Sequence, residues 1–496
     1  MTAFVVTCLI VLAVIFVGFL AGRDKAARSS IEQWSVGGRN FGGLLVWFLI
    51  GADLYTAYAF LGMTGYAYSF GAPAFFSIAY PVMAFPIAYF IIPKIWRYAS
   101  KHNLTTLADY ARERFQSKLV GVSVAIVSIV FLIPYICLQL SGITGVVQVA
   151  GQGVFENPKA VGTVALVVSF ILVALYTCFS GLRAPAWTGV IKDLLVWIVL
   201  ITMIVTIPFI WFDGWGDMFN QIVTKYPEKL TLPGTSPNGA LNGFWFATAS
   251  FISALALFMW PHGATGVLSS KSEEAVRKNT VFLSFYNVLL FFVILLGLVA
   301  FIVLPKHPED PSFANFALLH LIDASYSNPL IQGVMFSTIM LASLVPASIM
   351  VLAASNLVAT NIVKDIFFPN ISGKSQTLVA RLFVFVITGL ALLFGILFPN
   401  YLIQLQLEGV SGIAQILPAI FLSLYWTKLA KTSVFIGLVA GITMVFLNHF
   451  IFHLPGYDGF WGLLVNVVVV FAVNFLFIHE AEKNISTNKL LLGNKN

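Results

Sequence analysis

Asp53 stands in the middle of an apolar run, "FLIGADLYTAYAFLG" (48–62), with Gly51 and Ala52 before it and Tyr55, Thr56 and Tyr58 after it. An ionised carboxylate at the centre of a membrane span costs at least about 2.5 kcal/mol, so such a group faces a cavity or has a partner. Its chemistry is that of a proton or cation holder. The small residues on both sides suit a helix that breaks near the midplane, where freed carbonyls bind a cation and freed amides bind a substrate anion. A structural aspartate bonded to a neighbouring helix is the alternative. On this pattern Asp53, Ala52 and Tyr55 are candidates for the coupling ion. Gly51, Tyr55, Thr56 and Tyr58 are candidates for the substrate.

A second interruption lies in "FATASFISALALFMWPHGATG" (246–266), where Pro261 and Gly263 break a helical pattern near the inner end of a span. Trp260 and His262 join the substrate candidates there. His262 could titrate or bind substrate, but its place at a span end equally suits the interface, and the interface is the expectation. Glu408, in "LIQLQLEGVSGIAQILPAIF", is the other intramembrane acid, with gating or structural duty weighed equally against coupling. Lys192 and Asp193, in "APAWTGVIKDLL", are expected near the inner interface, paired or solvated.

These residues need apolar helices to hold them. The chain is 59% hydrophobic and 9% charged, where soluble domains carry about a quarter charged residues. Apolar runs of 18 residues or more recur from end to end, which reads as an all-α polytopic membrane protein. Thirteen spans are expected, at roughly 2–21, 42–69, 74–93, 119–148, 160–181, 187–212, 242–264, 279–304, 329–360, 379–398, 401–426, 432–453 and 459–479. With the N-terminus outside and the C-terminus inside, only Lys159, Lys225, Lys229 and Lys306 of the 27 Lys and Arg fall outside. The rest, Arg183 and Lys192 among them, count as inside, as the positive-inside rule asks. The net charge of +7 is therefore a topological signal, and nucleic acid is not an expected partner. The N-terminal run carries its positive charges after the apolar stretch, so a retained first helix is expected rather than a cleaved signal. The segment "NLTTLADYARERF" (103–115) reads as a short amphipathic helix on the inside.

Enzyme motifs are absent: there is no P-loop, no HExxH, no GxSxG and no Cys/His metal cluster. Cys8, Cys137 and Cys178 lie inside apolar runs and read as packing residues. The expected partners are a small-molecule solute and the lipid bilayer, with no obligate protein partner and no cofactor apart from a possible bound sodium ion. A multi-pass place in the cell membrane follows.

Four stretches, "SVGGRNFGG" (35–43), "GMTGYAYSFG" (62–71), "SGLRAPAWTGVIKD" (180–193) and "AASNLVATNIVKDIF" (353–367), resemble the solute:sodium symporter family at matching intervals over nearly the whole chain. The resemblance implies a single transporter domain, 1–496, of LeuT-like architecture. A first helix and inside loop (1–41) precede two inverted five-helix repeats, 42–212 and 242–426, and two C-terminal helices (432–479) follow. Alternating access around a site between broken helices comes with it. "GADLYTAY", "MWPHGATGVLSSKS" (259–272) and "LVPASIMVLAASNL" (344–357) look closest to bacterial monocarboxylate transporters. Sodium-binding members place a Ser/Thr pair in the ninth span. Aligning on "AAS" (353–355) puts Leu344 and Val345 there, which offer no oxygen. Ser343 and Ser348 are nearby candidates for the ion, turned off that face by the helical shift.

The expectation is proton-coupled uptake of a short monocarboxylate such as lactate, pyruvate or acetate. Protonation of Asp53 and binding of the anion near Tyr55-Thr56 favour each other, which is the reciprocity that symport needs. A sodium-coupled symporter of an amino acid, pantothenate or sugar is the nearest rival. A passive channel or a membrane sensor is the rival from another class.

Overall fold

The computed structural model describes residues 1–22, 30–154, 158–305, 311–397 and 402–477. Arg23, Lys25, Arg28, Lys306 and the tail beyond 477, all used in the charge count above, lie outside the described residues. Within them the regular secondary structure is helical, apart from a single bridge between Phe41 and Ser270. Helices are what apolar sequence must form in lipid, because each satisfies its own backbone polar groups.

In chain order the elements that matter are α1 (Thr2–Ala21), α2 (Gly43–Ala52), α3 (Met63–Phe70), α4 (Phe76–Lys101), α5 (Leu107–Phe115), α6 (Lys118–Ala150), α7 (Pro158–Ser180) and α8 (Arg183–Trp211). They continue with α9 (Gly243–Ala256), α10 (Pro261–Leu268), α11 (Glu273–Phe282), α12 (Tyr286–Val303), α13 (Pro329–Leu357), α14 (Gly373–Leu397), α15 (Leu402–Ile413), α16 (Lys431–Leu447) and α17 (Asp458–Leu476). Among the described residues, eleven helical stretches are long and apolar enough to cross a membrane. Two shorter apolar helices, Gly43–Ala52 and Val164–Phe179, lie where the second and fifth spans were expected.

Helix α13 forms the centre: from Met335 to Leu357 every residue is buried. It packs against α1, α6 and α8. The rim helices carry outward rows of large apolar side chains, such as Leu9, Leu12 and Phe16 on α1 and Ile198, Ile201 and Val205 on α8. Apolar rows of that extent suit hydrocarbon and not water.

The expected second span is two pieces. Helix α2 ends at Ala52, and helical structure resumes at Ala57 and runs on through a wide turn over Tyr58–Gly62 into α3. The seventh span also divides. Residues 257–260 separate α9 from α10, and Pro261 starts α10. Proline has no N–H to give the preceding turn and suits the first helical position, so it ends one helix and opens the next. The segment expected as an amphipathic helix at 103–115 is helical over Leu107–Phe115, and the Thr106 hydroxyl caps it by accepting from Asp109 N at 2.9 Å. Its Asp109 carboxylate accepts from Asn361 Nδ2 at 2.9 Å, and Arg112 pairs with Asp365, so α5 is fastened to the turn that follows α13.

Close approach between α3 and α12 depends on Gly297. A Cβ there would lie 2.5 Å from Thr64 O and 2.8 Å from Ala67 Cβ. Gly297→Ala is expected to cost about 1–3 kcal/mol through overpacking. A thermal melt of the purified protein checks this, and an unchanged midpoint would contradict the contact.

Candidate functional site

The two interruptions face one cavity. Asp53, Leu54 and Tyr58 line it from the first break, and Trp260, His262 and Gly263 from the second. Ser77, Tyr80 and Phe85 of α4, Tyr135 of α6 and Gln406 of α15 close it. Its volume is about 40 Å³, room for roughly three waters at 10–15 Å³ each.

Its polar inventory is unusual for an interior. Both carboxyl oxygens of Asp53, Nδ1 of His262 and Oε1 of Gln406 are buried without a hydrogen-bond partner among the described residues. Buried polar groups are ordinarily paired, so unpaired ones lining a single cavity mark a place for a ligand or a proton. Around them the Tyr58 hydroxyl donates to Ser77 Oγ at 2.9 Å. The Tyr135 ring lies 5.0 Å from that of Trp260 and 5.6 Å from the His262 imidazole. The result is a small aromatic box with an acid, an imidazole and an amide in its walls.

The two breaks offer different amides. After the first break, Ala57 N donates to Gln139 Oε1 at 3.1 Å and Tyr58 N to Thr56 Oγ1 at 3.1 Å. Two of the amides next to the expected anion end at Tyr55-Thr56 are thus already occupied. Helix α10 starts differently: Trp260 supplies no side-chain cap, and His262 and Gly263 of its first turn line the cavity. First-turn amides have no acceptor within their own helix, and a helix N-terminus favours negative charge.

Behind the first break lies a second polar cluster. Lys192 of α8 donates through Nζ to Ala52 O at 3.0 Å and to Tyr55 O at 2.8 Å. It lies 2.8 Å from Asp193 Oδ1, and both side chains are 0% exposed. Asp193 Oδ2 accepts from Tyr286 Oη at 2.9 Å, and Tyr286 O accepts from Tyr55 Oη at 3.0 Å. Gly51 leaves the space that the Tyr286 ring fills.

Several expectations change here. Lys192 and Asp193 are paired, as one expectation had it, but fully buried against the first break rather than solvated, and Lys192 does not belong with the loop charges. Helix α8 begins at Arg183, ahead of the expected span start. Lys192 is therefore about 13 Å along the axis at 1.5 Å per residue. The carbonyls of Ala52 and Tyr55, expected to serve the coupling ion, hold the lysine instead. His262 is 3% exposed and lines the cavity, because the chain breaks before it and re-enters as α10. Of the substrate candidates, Tyr58, Trp260 and His262 line the cavity, as Asp53 does. Gly51, Tyr55 and Thr56 do not, and they pack behind it. The Ser343 hydroxyl donates to Ile339 O at 3.0 Å and that of Ser348 to Val345 O at 2.6 Å, each within its own helix. Leu344 and Val345 are buried beside them. Glu408 is only partly buried and is not in the cavity wall; Gln406 of the same helix is.

Sequence reasoning missed Ser77, Tyr80, Tyr135, Gln139 and Gln406. A polar side chain in an apolar run was the only signal for each, and many packing residues share it.

Two broken helices across a small polar cavity are the arrangement found in carriers that move a solute together with an ion. The chain belongs to the sodium:solute symporter family, which it matches over residues 34–441. It is 54% identical over 485 residues to the uncharacterized symporter YodF of Bacillus subtilis, covering 98% of this chain and 95% of that one. It is 32% identical over 429 residues to a monocarboxylate transport permease protein of Rhizobium johnstonii, covering 86% and 84%. In fold it resembles a Na+-coupled sialic acid symporter solved in a substrate-bound outward-open state. That match has a TM-score of 0.77 at 16% identity, over 96% of this chain and 98% of the other. The protein is thus a multi-pass solute symporter of this family.

Proposed function

We propose that the protein takes up a short monocarboxylate together with a proton, as a cell-membrane carrier of thirteen spans. In this reading residues 42–212 and 242–426 are the inverted repeats, and the N-terminus is outside and the C-terminus inside. The observation that carries it is the Asp53 carboxyl, buried in the cavity wall with neither oxygen paired. Lys192 and Asp193 balance one another, so an ionised Asp53 is the unbalanced charge. A lone buried charge is expensive, and a proton removes the cost.

A carboxylate entering the cavity meets the uncapped start of α10 at His262 and Gly263, and its short apolar tail meets Trp260, Phe85 and Leu54. The anion and an ionised Asp53 repel each other, so the acid binds best once Asp53 is protonated, and the proton binds best with the anion present. The cavity volume favours a solute of a few heavy atoms over a sugar. The relative named as a monocarboxylate permease points the same way.

A second reading rests on the same carboxyl. An ionised Asp53 would pair with the ammonium of a small amino acid whose carboxylate sits at α10. Binding to the purified protein separates the two, with acetate, propionate, lactate and pyruvate set against alanine and acetamide. Thermal stabilisation by the acids, stronger at lower pH and absent with acetamide, is the expected result. Stabilisation by alanine alone would replace the first reading with the second.

A further inference from the structure

The family's description names sodium, and a relative in fold is described as Na+-coupled. At a helix break the oxygens available to such an ion are the freed carbonyls. Two of them here, Ala52 O and Tyr55 O, with Asp193 Oδ1 beside them, lie within 3.0 Å of Lys192 Nζ. An ammonium has three N–H donors and one positive charge; two donors bond Ala52 O and Tyr55 O, and Asp193 Oδ1 lies 2.8 Å away as the ion-pair partner. The hydroxyls of Ser343 and Ser348 are turned into their own helix, and Leu344 and Val345 bring no oxygen. At the three oxygens around Lys192 a sodium ion would have to displace the lysine and would meet a like charge; the Asp53 carboxyl oxygens, unpaired among the described residues, belong to the cavity wall instead.

We infer that Lys192 is the resident cation of this site: a covalently tethered ammonium that takes the place of a mobile metal ion at these oxygens and makes them independent of sodium. Its charge faces the C-terminal end of α2, where the helix dipole is negative, and the Asp193 carboxylate. It thereby ties α8 to both sides of the break through Ala52 and Tyr55. Tyr286 holds Asp193 from the other side, and Gly51 gives Tyr286 its room. The symporter reading is presupposed here, but neither the identity of the solute nor the role of Asp53 is.

The test is thermal melting of the purified full-length protein, without solute, in sodium chloride and in choline chloride at equal ionic strength. The wild-type midpoint is expected to be the same in both salts. In Lys192→Ala the vacated oxygens are open to a small cation. Its midpoint is expected to fall by several degrees in choline and to recover in part with sodium or methylammonium. A saturable sodium-specific rise in the wild type overturns the inference, as does a Lys192→Ala midpoint unchanged in either salt. Should Lys192→Ala yield no folded protein, the wild type decides alone: a midpoint indifferent to sodium over a full titration supports the inference, and a saturable dependence on it overturns it. Failure of the monocarboxylate reading is a different result, no stabilisation by short acids, and leaves these melts as they stand.

Discussion

Asp53→Asn is expected to give a folded carrier that still binds and exchanges its solute but no longer concentrates it. Asparagine keeps the shape of the side chain and fixes it in the uncharged form. The wild-type carboxyl can change charge in a cavity where none of its oxygens is paired, so each protonation alters the site by a full unit charge. With one proton moved per anion, a gradient of one pH unit is worth about 1.4 kcal/mol, or roughly tenfold accumulation. In the variant that ratio should fall to about one, and binding should lose its preference for low pH. Uptake and counterflow in liposomes measure the two properties separately. Accumulation equal to wild type would remove Asp53 from the coupling step.

Gly51→Ala should be the most damaging small change at the site. A Cβ at this position lies 2.3 Å from both Cζ and Oη of Tyr286. The ring has nowhere to go: its centroid is 4.7 Å from that of Tyr55, 5.3 Å from Trp47 and 5.8 Å from Trp197. Relief requires α2 to move or Tyr286 to leave Asp193, and either disturbs the oxygens around Lys192. Overpacking of this kind costs about 1–3 kcal/mol, visible as a lower melting midpoint and slower uptake. The pairing with Tyr286 has its own check. Gly51→Ala combined with Tyr286→Ala should cost less than the sum of the two single changes, since contacting residues do not add. Strict additivity would show that the clash lies elsewhere.

The membrane class and the two breaks were legible because each has a local cause. Apolar length marks a span, Asp53 between small residues marks one interruption, and Pro261 marks the other. Which side chains share the cavity was not legible. Residues 53–56 are not helical, so periodicity cannot be carried from α2 into the turn, and Tyr55 and Tyr58 end on opposite sides of it. Gln139 and Lys192 come from distant helices to satisfy the freed amide and carbonyls, and no spacing within "GADLYTAY" announces them. Lys192 was visible as a charge in an apolar run, yet a span boundary drawn four residues late placed it near the interface. His262 was misplaced for a related reason. A break followed by a short second half-helix puts a residue that looks terminal at the centre of the protein.

The account turns on which ion drives the solute. The direct measurement is uptake of a labelled short monocarboxylate by the purified full-length protein in liposomes under two opposed conditions. One imposes an acid exterior with sodium absent; the other imposes an inward sodium gradient at equal pH. Proton coupling predicts roughly tenfold accumulation per pH unit in the first condition and none in the second. Full accumulation driven by sodium at equal pH would contradict it.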